Sequence, residues 1–149
     1  SLVSWEAAQD LGYQLKLNTV VCNHNKADDM SALVAQLRPQ RWKVFQALPI
    51  KGENDDVWDE LEITSEEFRA WVARHSHLSP VVESNELMTG SYCMLDGKLR
   101  FYNNVGGEFK HSAPIPDVGM DRAWSEIESL FSDDVFEDRG GVWSWEVSK

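Results

Sequence analysis

Two stretches constrain this chain more than any other feature: Tyr13 to Cys22 (YQLKLNTVVC) and Arg41 to Ile50 (RWKVFQALPI). Each carries a continuous apolar run rich in β-branched or aromatic residues and reads as a buried strand. Between them Met30, Leu33, Val34 and Leu37 fall at helical spacing, and Pro39 stops the helix. Strand, helix and strand in that order predict parallel pairing with a right-handed crossover, hence an α/β fold. A short helical pattern over Ser4 to Asp10, closed by Gly12, precedes the first strand.

Lys51 to Asp59 (KGENDDVWD) forms a charged, Gly-containing loop at the carboxyl end of the second strand, where ligands sit in α/β sheets and barrels. Thr64-Ser65-Glu66-Glu67 is a capping box opening a helix with Phe68, Trp71 and Val72 inward and an end near His75. After a polar link from His77 to Asn85, Ser91 to Leu95 and Lys98 to Asn103 alternate around Asp96-Gly97, which predicts a β-hairpin. Val105-Gly106-Gly107 starts a loop running through Pro114 and Pro116, and Met120 to Phe131 reads as the last helix. The tail, Asp138-Arg139-Gly140-Gly141 followed by Val142-Trp143-Ser144-Trp145, is hinged by glycine and could fold over a ligand.

A chain of 149 residues with 42% hydrophobic residues can bury a core. Seven tryptophans are many for this length, and Trp5, Trp42, Trp71, Trp124 and Trp143 stand beside apolar or small residues, as packing side chains do. The net charge of −11 argues against non-specific binding to nucleic acid or anionic membrane, so any phosphate site must be local. Neither a membrane-spanning run nor a signal peptide is present, and a soluble, cytoplasmic context is the default expectation. Cys22 and Cys93, in apolar runs, are expected to be buried packing thiols.

Lys16 and Asn18 lie two apart on the first strand and therefore share a face; Arg41 and Lys43 repeat the arrangement on the second. Burying such cations without counter-ions costs on the order of several kcal/mol per ion. Either acids such as Glu53 or Asp55 pair with them, or a polyanionic ligand does. Arg139 before Gly140-Gly141 has the form of a phosphate grip but also of a solvated turn. Lys110 fits a phosphate-facing loop or an exposed one, and Tyr92 a site or the core. Glu83-Ser84-Asn85 reads as a loop site or a helix cap. His24, His75, His77 and His111 lack metal-ligand spacing, and no P-loop or GxSxG elbow occurs.

The stretches KLNTVVCNHN, RWKVFQALPIKGEN, ITSEEF, VVESN and SYCMLDGKLRF, the Gly106-Gly107 loop with DVG after it, and RGG before the tryptophan-containing tail resemble the C-terminal half of the viperin family. They follow the family's order from about Lys16 to Trp145. The resemblance implies the C-terminal part of a radical S-adenosylmethionine (SAM) partial (β/α) barrel, residues 1–56, and a C-terminal extension with a β-hairpin, residues 57–149, covering the nucleotide site. The family's complete enzyme, an antiviral lyase, dehydrates CTP, or in some members UTP or another ribonucleoside triphosphate, to its 3′-deoxy-3′,4′-didehydro form. A [4Fe–4S] cluster cleaves SAM reductively and the resulting 5′-deoxyadenosyl radical takes a ribose hydrogen.

Carried over by resemblance, Lys16 lies near substrate and cofactor, Asn18 contacts SAM, and Arg41 and Lys43 serve the triphosphate. Tyr92 is a candidate proton source for loss of the 3′-hydroxyl, with Lys16 the alternative. Arg139 binds the triphosphate from the tail. Lys110 matches a loop lysine only approximately, because Phe109 takes the aligned position if no gap is allowed. Two isolated cysteines cannot form the family's CxxxCxxC cluster motif, so the cluster ligands are expected in an N-terminal segment outside this chain. The complete enzyme is expected to be monomeric, without nucleic acid, and at the cytosolic face of a membrane only if an anchor lies upstream. The competing reading is a non-catalytic acidic α/β module that binds a nucleotide or a protein.

Overall fold

The computed structural model describes residues 2–142 and residue 144. Its elements in chain order are α1 (Leu2–Asp10), β1 (Lys16–Val21), α2 (Ser31–Leu37), β2 (Arg41–Gln46), α3 (Trp58–Leu61), α4 (Ser65–Arg74) and β3 (Val81–Glu83). Then follow α5 (Asn85–Met88), β4 (Met94–Leu95), β5 (Phe101–Val105), β6 (Glu108–His111), α6 (Ile115–Val118), α7 (Met120–Ser125) and α8 (Asp133–Asp138). They fall into two compact units, one of residues up to Ala47 with Glu60–Ser84, the other of Leu48–Asp59 with Asn85–Val142.

The first unit holds a three-stranded parallel sheet in the order β1-β2-β3. The parallel pairing expected of the first two strands is therefore present, and β3 extends it in what the sequence presents as a polar link. One face of the sheet, carrying Thr19, Val21, Trp42, Val44 and Gln46, is buried. Phe68 and Trp71 of α4 are buried with it, each worth roughly 1.5–3 kcal/mol or more by area removed from water. The Trp42 indole N–H donates to Thr19 Oγ1 at 3.0 Å, so the large ring enters the core with its polar edge satisfied.

His75, fully buried, packs its ring 3.9 Å from that of Trp71 and 5.8 Å from that of Trp42. Its Nε2 accepts the Met30 N–H at 2.9 Å while Nδ1 lies 2.8 Å from the Trp71 carbonyl oxygen, an arrangement that fixes Nδ1 as the protonated nitrogen. The histidine is a core residue.

The second unit is built on an antiparallel sheet, β4-β5-β6. The hairpin expected around Asp96-Gly97 joins β4 to β5, but Leu95 faces Phe101, so the connection runs over five residues. Asp96 organises it by accepting the Arg100 N–H at 3.0 Å and the Lys98 N–H at 2.9 Å; the Arg100 N–H and guanidinium first, and the Lys98 N–H after them, hold its carboxyl at about 2. Gly106-Gly107, expected as the start of a loop, instead forms a tight two-residue turn between β5 and β6, closed by the Val105–Glu108 pair. Both glycines have φ near +70° (67° and 76°), which the twist of such a turn requires.

The single helix expected over Met120 to Phe131 is interrupted: α7 ends at Ser125 and a 3₁₀ turn covers Glu128–Leu130. A further helix, α8, follows it, with Ser132 Oγ accepting the Val135 N–H at its start. Contrary to the expectation of buried thiols, Cys22 is half-buried, because β1 ends one residue before it, and Cys93, one residue before β4, is exposed. Of the aromatic tail, Trp143 and Trp145 lie outside the described residues.

The capping box of α4 is complete: Thr64 Oγ1 accepts the Glu67 N–H and the Glu67 carboxylate accepts the Thr64 N–H. Lys26 and then Thr64 hold the Glu67 carboxyl down at about 2. We expect Thr64→Ala to lower unfolding stability by about 1 kcal/mol in urea titrations. Because the folded carboxyl titrates below its ordinary value of 4.5, its contribution is complete above that pH and disappears as pH falls toward 2. Glu67→Gln should accordingly flatten the loss of stability between pH 4.5 and 2, measured by urea midpoints across that range.

Candidate functional site

In the β1–β2 ladder Lys16 stands opposite Arg41 and Asn18 opposite Lys43. Directly opposed residues on parallel strands point to the same face, so the four polar side chains gather on one side of the sheet. That side is the one away from the Trp42 and Val44 core. Lys16 and Asn18 are exposed, and Val20, which continues their row, is 56% exposed; Arg41 is half-buried and Lys43 only 8% exposed. Exposure thus falls from the edge strand toward the centre of the sheet.

The acid that meets Lys43 is Glu83 of β3, fully buried, which forms an ion pair with the lysine ammonium. Glu53 and Asp55, the acids anticipated from sequence, belong to the other unit. The Lys43 ammonium also lies 5.4 Å from the centre of the Phe45 ring. Glu83, read from sequence as part of a loop site or a helix cap, is instead the last residue of a strand and the partner of Lys43, a pairing the sequence did not reveal. The signal for the strand was the apolar pair Val81-Val82 before it, which makes a short buried strand and turns the glutamate into an inward-facing charge.

In the second unit Arg139 follows α8, and its guanidinium carbon stands 3.9 Å from the centre of the Tyr92 ring and 5.1 Å from that of Phe136. Its Nη2 donates to the Ser91 carbonyl at 3.1 Å. Two candidates far apart in sequence, Tyr92 and Arg139, are therefore in contact through a cation–π interaction.

Lys110 lies on β6 with Glu108 on its own face, their charged groups 3.0 Å apart. The other carboxylate oxygen of Glu108 takes Lys51 from the loop after β2 at 2.6 Å. Lys51 first and Lys110 second hold the Glu108 carboxyl at about 2. Phe109 points to the opposite face, its ring 5.2 Å from that of Tyr102. The one-residue ambiguity between Phe109 and Lys110 is thus a choice of face, and only Lys110 offers charge. Lys51 was not singled out from sequence, although its loop was.

Cys22 and Cys93 are free thiols, one in each unit, and among the described residues no three His, Cys, Asp or Glu side chains gather as metal ligands. These residues do not fit an iron–sulfur cluster, which takes three or four thiolates. Among the described residues no helix is long and apolar enough to cross a membrane.

The register-matched polar face lies on the parallel sheet of an α/β protein. No protein-family model matches the chain. Among curated proteins it is 42% identical over 137 residues to the S-adenosylmethionine-dependent nucleotide dehydratase of Flammeovirga pacifica, covering 91% of this chain and 47% of that protein. The protein of the same name from Lacinutrix mariniflava is 41% identical over 139 residues, 93% of this chain and 29% of the relative. The fish protein from Siniperca chuatsi, S-adenosylmethionine-dependent nucleotide dehydratase RSAD2, is 40% identical over 87% of this chain and 38% of its own length. The chain spans less than half the length of these relatives. It belongs to the viperin family, as the motif order predicted.

Breaking a buried ion pair from one side leaves an unpaired charge. Lys43→Met and Glu83→Gln should therefore each cost about 3–5 kcal/mol, whereas the double variant recovers most of the loss. Urea unfolding of the four proteins checks this.

Proposed function

We propose that this chain is the nucleotide-gripping part of a radical SAM enzyme that dehydrates a ribonucleoside triphosphate, CTP or UTP, to its 3′-deoxy-3′,4′-didehydro form, in antiviral defence. The observation that carries the reading is the opposition of Lys16 to Arg41 and Asn18 to Lys43 in a chain whose net charge is −11. Cations gathered on one face of an acidic protein give an anionic ligand a local place to bind. The names of the relatives supply the class of ligand and reaction.

In this reading residues 1–56 complete a partial (β/α) barrel with an upstream segment of the full-length protein, and residues 57–149 cover the nucleotide. That upstream segment carries the CxxxCxxC motif. S-adenosylmethionine and the cluster supply the radical chemistry, and Asn18, whose carboxamide offers both donors and an acceptor, makes one contact with SAM. Lys16, Arg41 and Lys43 bind phosphate oxygens, aided by Lys110 and by Arg139, whose guanidinium fork fits phosphate bidentately. Tyr92, under the Arg139 guanidinium, holds the proton for the departing 3′-hydroxyl, with Lys16 as the other candidate. The residues orient the ribose and exclude water, which is what such a reaction asks of its protein.

The test is anaerobic incubation of the reconstituted full-length protein with SAM, reductant and each of the four ribonucleoside triphosphates. Nucleotide-dependent release of 5′-deoxyadenosine is expected with CTP or UTP, and its absence with every nucleotide would sink the assignment. Arg139→Ala should raise KM for the nucleotide by about tenfold or more while leaving nucleotide-independent SAM cleavage intact, as loss of a phosphate contact does.

A further inference from the structure

Lys43 and Glu83 sit on neighbouring strands but not at opposed positions. Lys43 faces Val81, and Glu83 faces Phe45, two residues nearer the carboxyl end of the sheet. The ion pair therefore runs diagonally, and the ammonium lies by the Phe45 ring rather than level with its own backbone. A lysine left to itself would extend its flexible chain toward water. This one is 8% exposed and its partner 0% exposed, so the direction of the side chain is set by the carboxylate ahead of it. The carboxyl end of parallel strands is also where ligands enter α/β sheets.

We infer that Glu83 is a positioning residue of the nucleotide site. It draws the Lys43 ammonium toward the carboxyl end of the sheet and holds it there for a phosphate oxygen of the nucleoside triphosphate. It also neutralises the buried cation while no ligand is bound. An ammonium carries three donors, so it can bridge a carboxylate and a phosphate. The inference rests on the nucleotide-binding reading above. It differs from a purely structural role for the pair, which an apolar couple of similar volume would fill as well.

Glu83→Asp is the informative variant, since it keeps the charge and withdraws the carboxylate by one methylene. In the full-length reconstituted protein, KM for the nucleoside triphosphate should rise about fivefold with kcat changed less than about twofold. A structural role would lower the urea midpoint and leave KM alone. K43M/E83Q, free of a buried unpaired charge, should show a KM raised by about tenfold or more and matched by K43M/E83D, because without the ammonium the acid at position 83 has nothing to aim. A KM for E83D within about twofold of wild type, or clearly different KM values for the two double variants, overturns the inference. Arg139→Ala measured alongside separates the cases. A raised KM there with an unmoved KM for E83D removes the Glu83 role alone, whereas a wild type that neither binds nor turns over any nucleotide removes both.

Discussion

The register between β1 and β2 is the constraint on which the first unit depends. Side chains alternate with a period of two, so fixing Lys16 against Arg41 also fixes Thr19, Val21, Trp42 and Val44 on the reverse face. The buried bond from the Trp42 indole to Thr19 ties the two strands at that register from the core side. A slip of β1 by one residue would turn Thr19 and Val21 outward and bury Lys16 and Asn18. The apolar free energy of the core thus fixes which side carries the cations, and the polar face needs no specification of its own.

Within that face Lys43 is distinguished by its burial. An exposed lysine reaches an anion at the cost of side-chain entropy; a buried one has met that cost on folding, together with the desolvation that Glu83 offsets. The pair is a poor device for stability, because well-packed apolar residues would serve as well. It is a good device for holding charge in one place, as preorganised electrostatics requires.

The apolar periodicity made β1, α2, β2 and α4 legible, and the Thr64–Glu67 spacing predicted a capping box that forms in full. Spacing alone put Lys16 with Asn18 and Arg41 with Lys43, and the register then put both pairs on one face. What stayed hidden was tertiary. Val81-Val82-Glu83 is too short for a period, and it becomes a strand because β2 offers it a free edge. Gly106-Gly107 is equally compatible with a loop and with a tight turn, and the pairing of β5 with β6 decides. Ser132 ahead of two acids was a start signal for α8, outweighed in the sequence by the apolar pattern before it. The contact between Arg139 and Tyr92 joins residues whose separation no local pattern can bridge.

The cations of the two units differ in how they are held. Lys51 and Lys110 share Glu108 on the surface, and exposed pairs of this kind contribute little and exchange partners readily. Arg139 lies against the Tyr92 and Phe136 rings and donates to the Ser91 carbonyl. Lys43 keeps its carboxylate partner fully buried while the lysine itself retains a small exposure. Any anion approaching an acidic protein meets a repulsive mean field, so attraction comes from cations that yield their partners cheaply, and precision from those that do not move. The lysines that share Glu108 are of the first kind, and the Lys43–Glu83 pair is of the second.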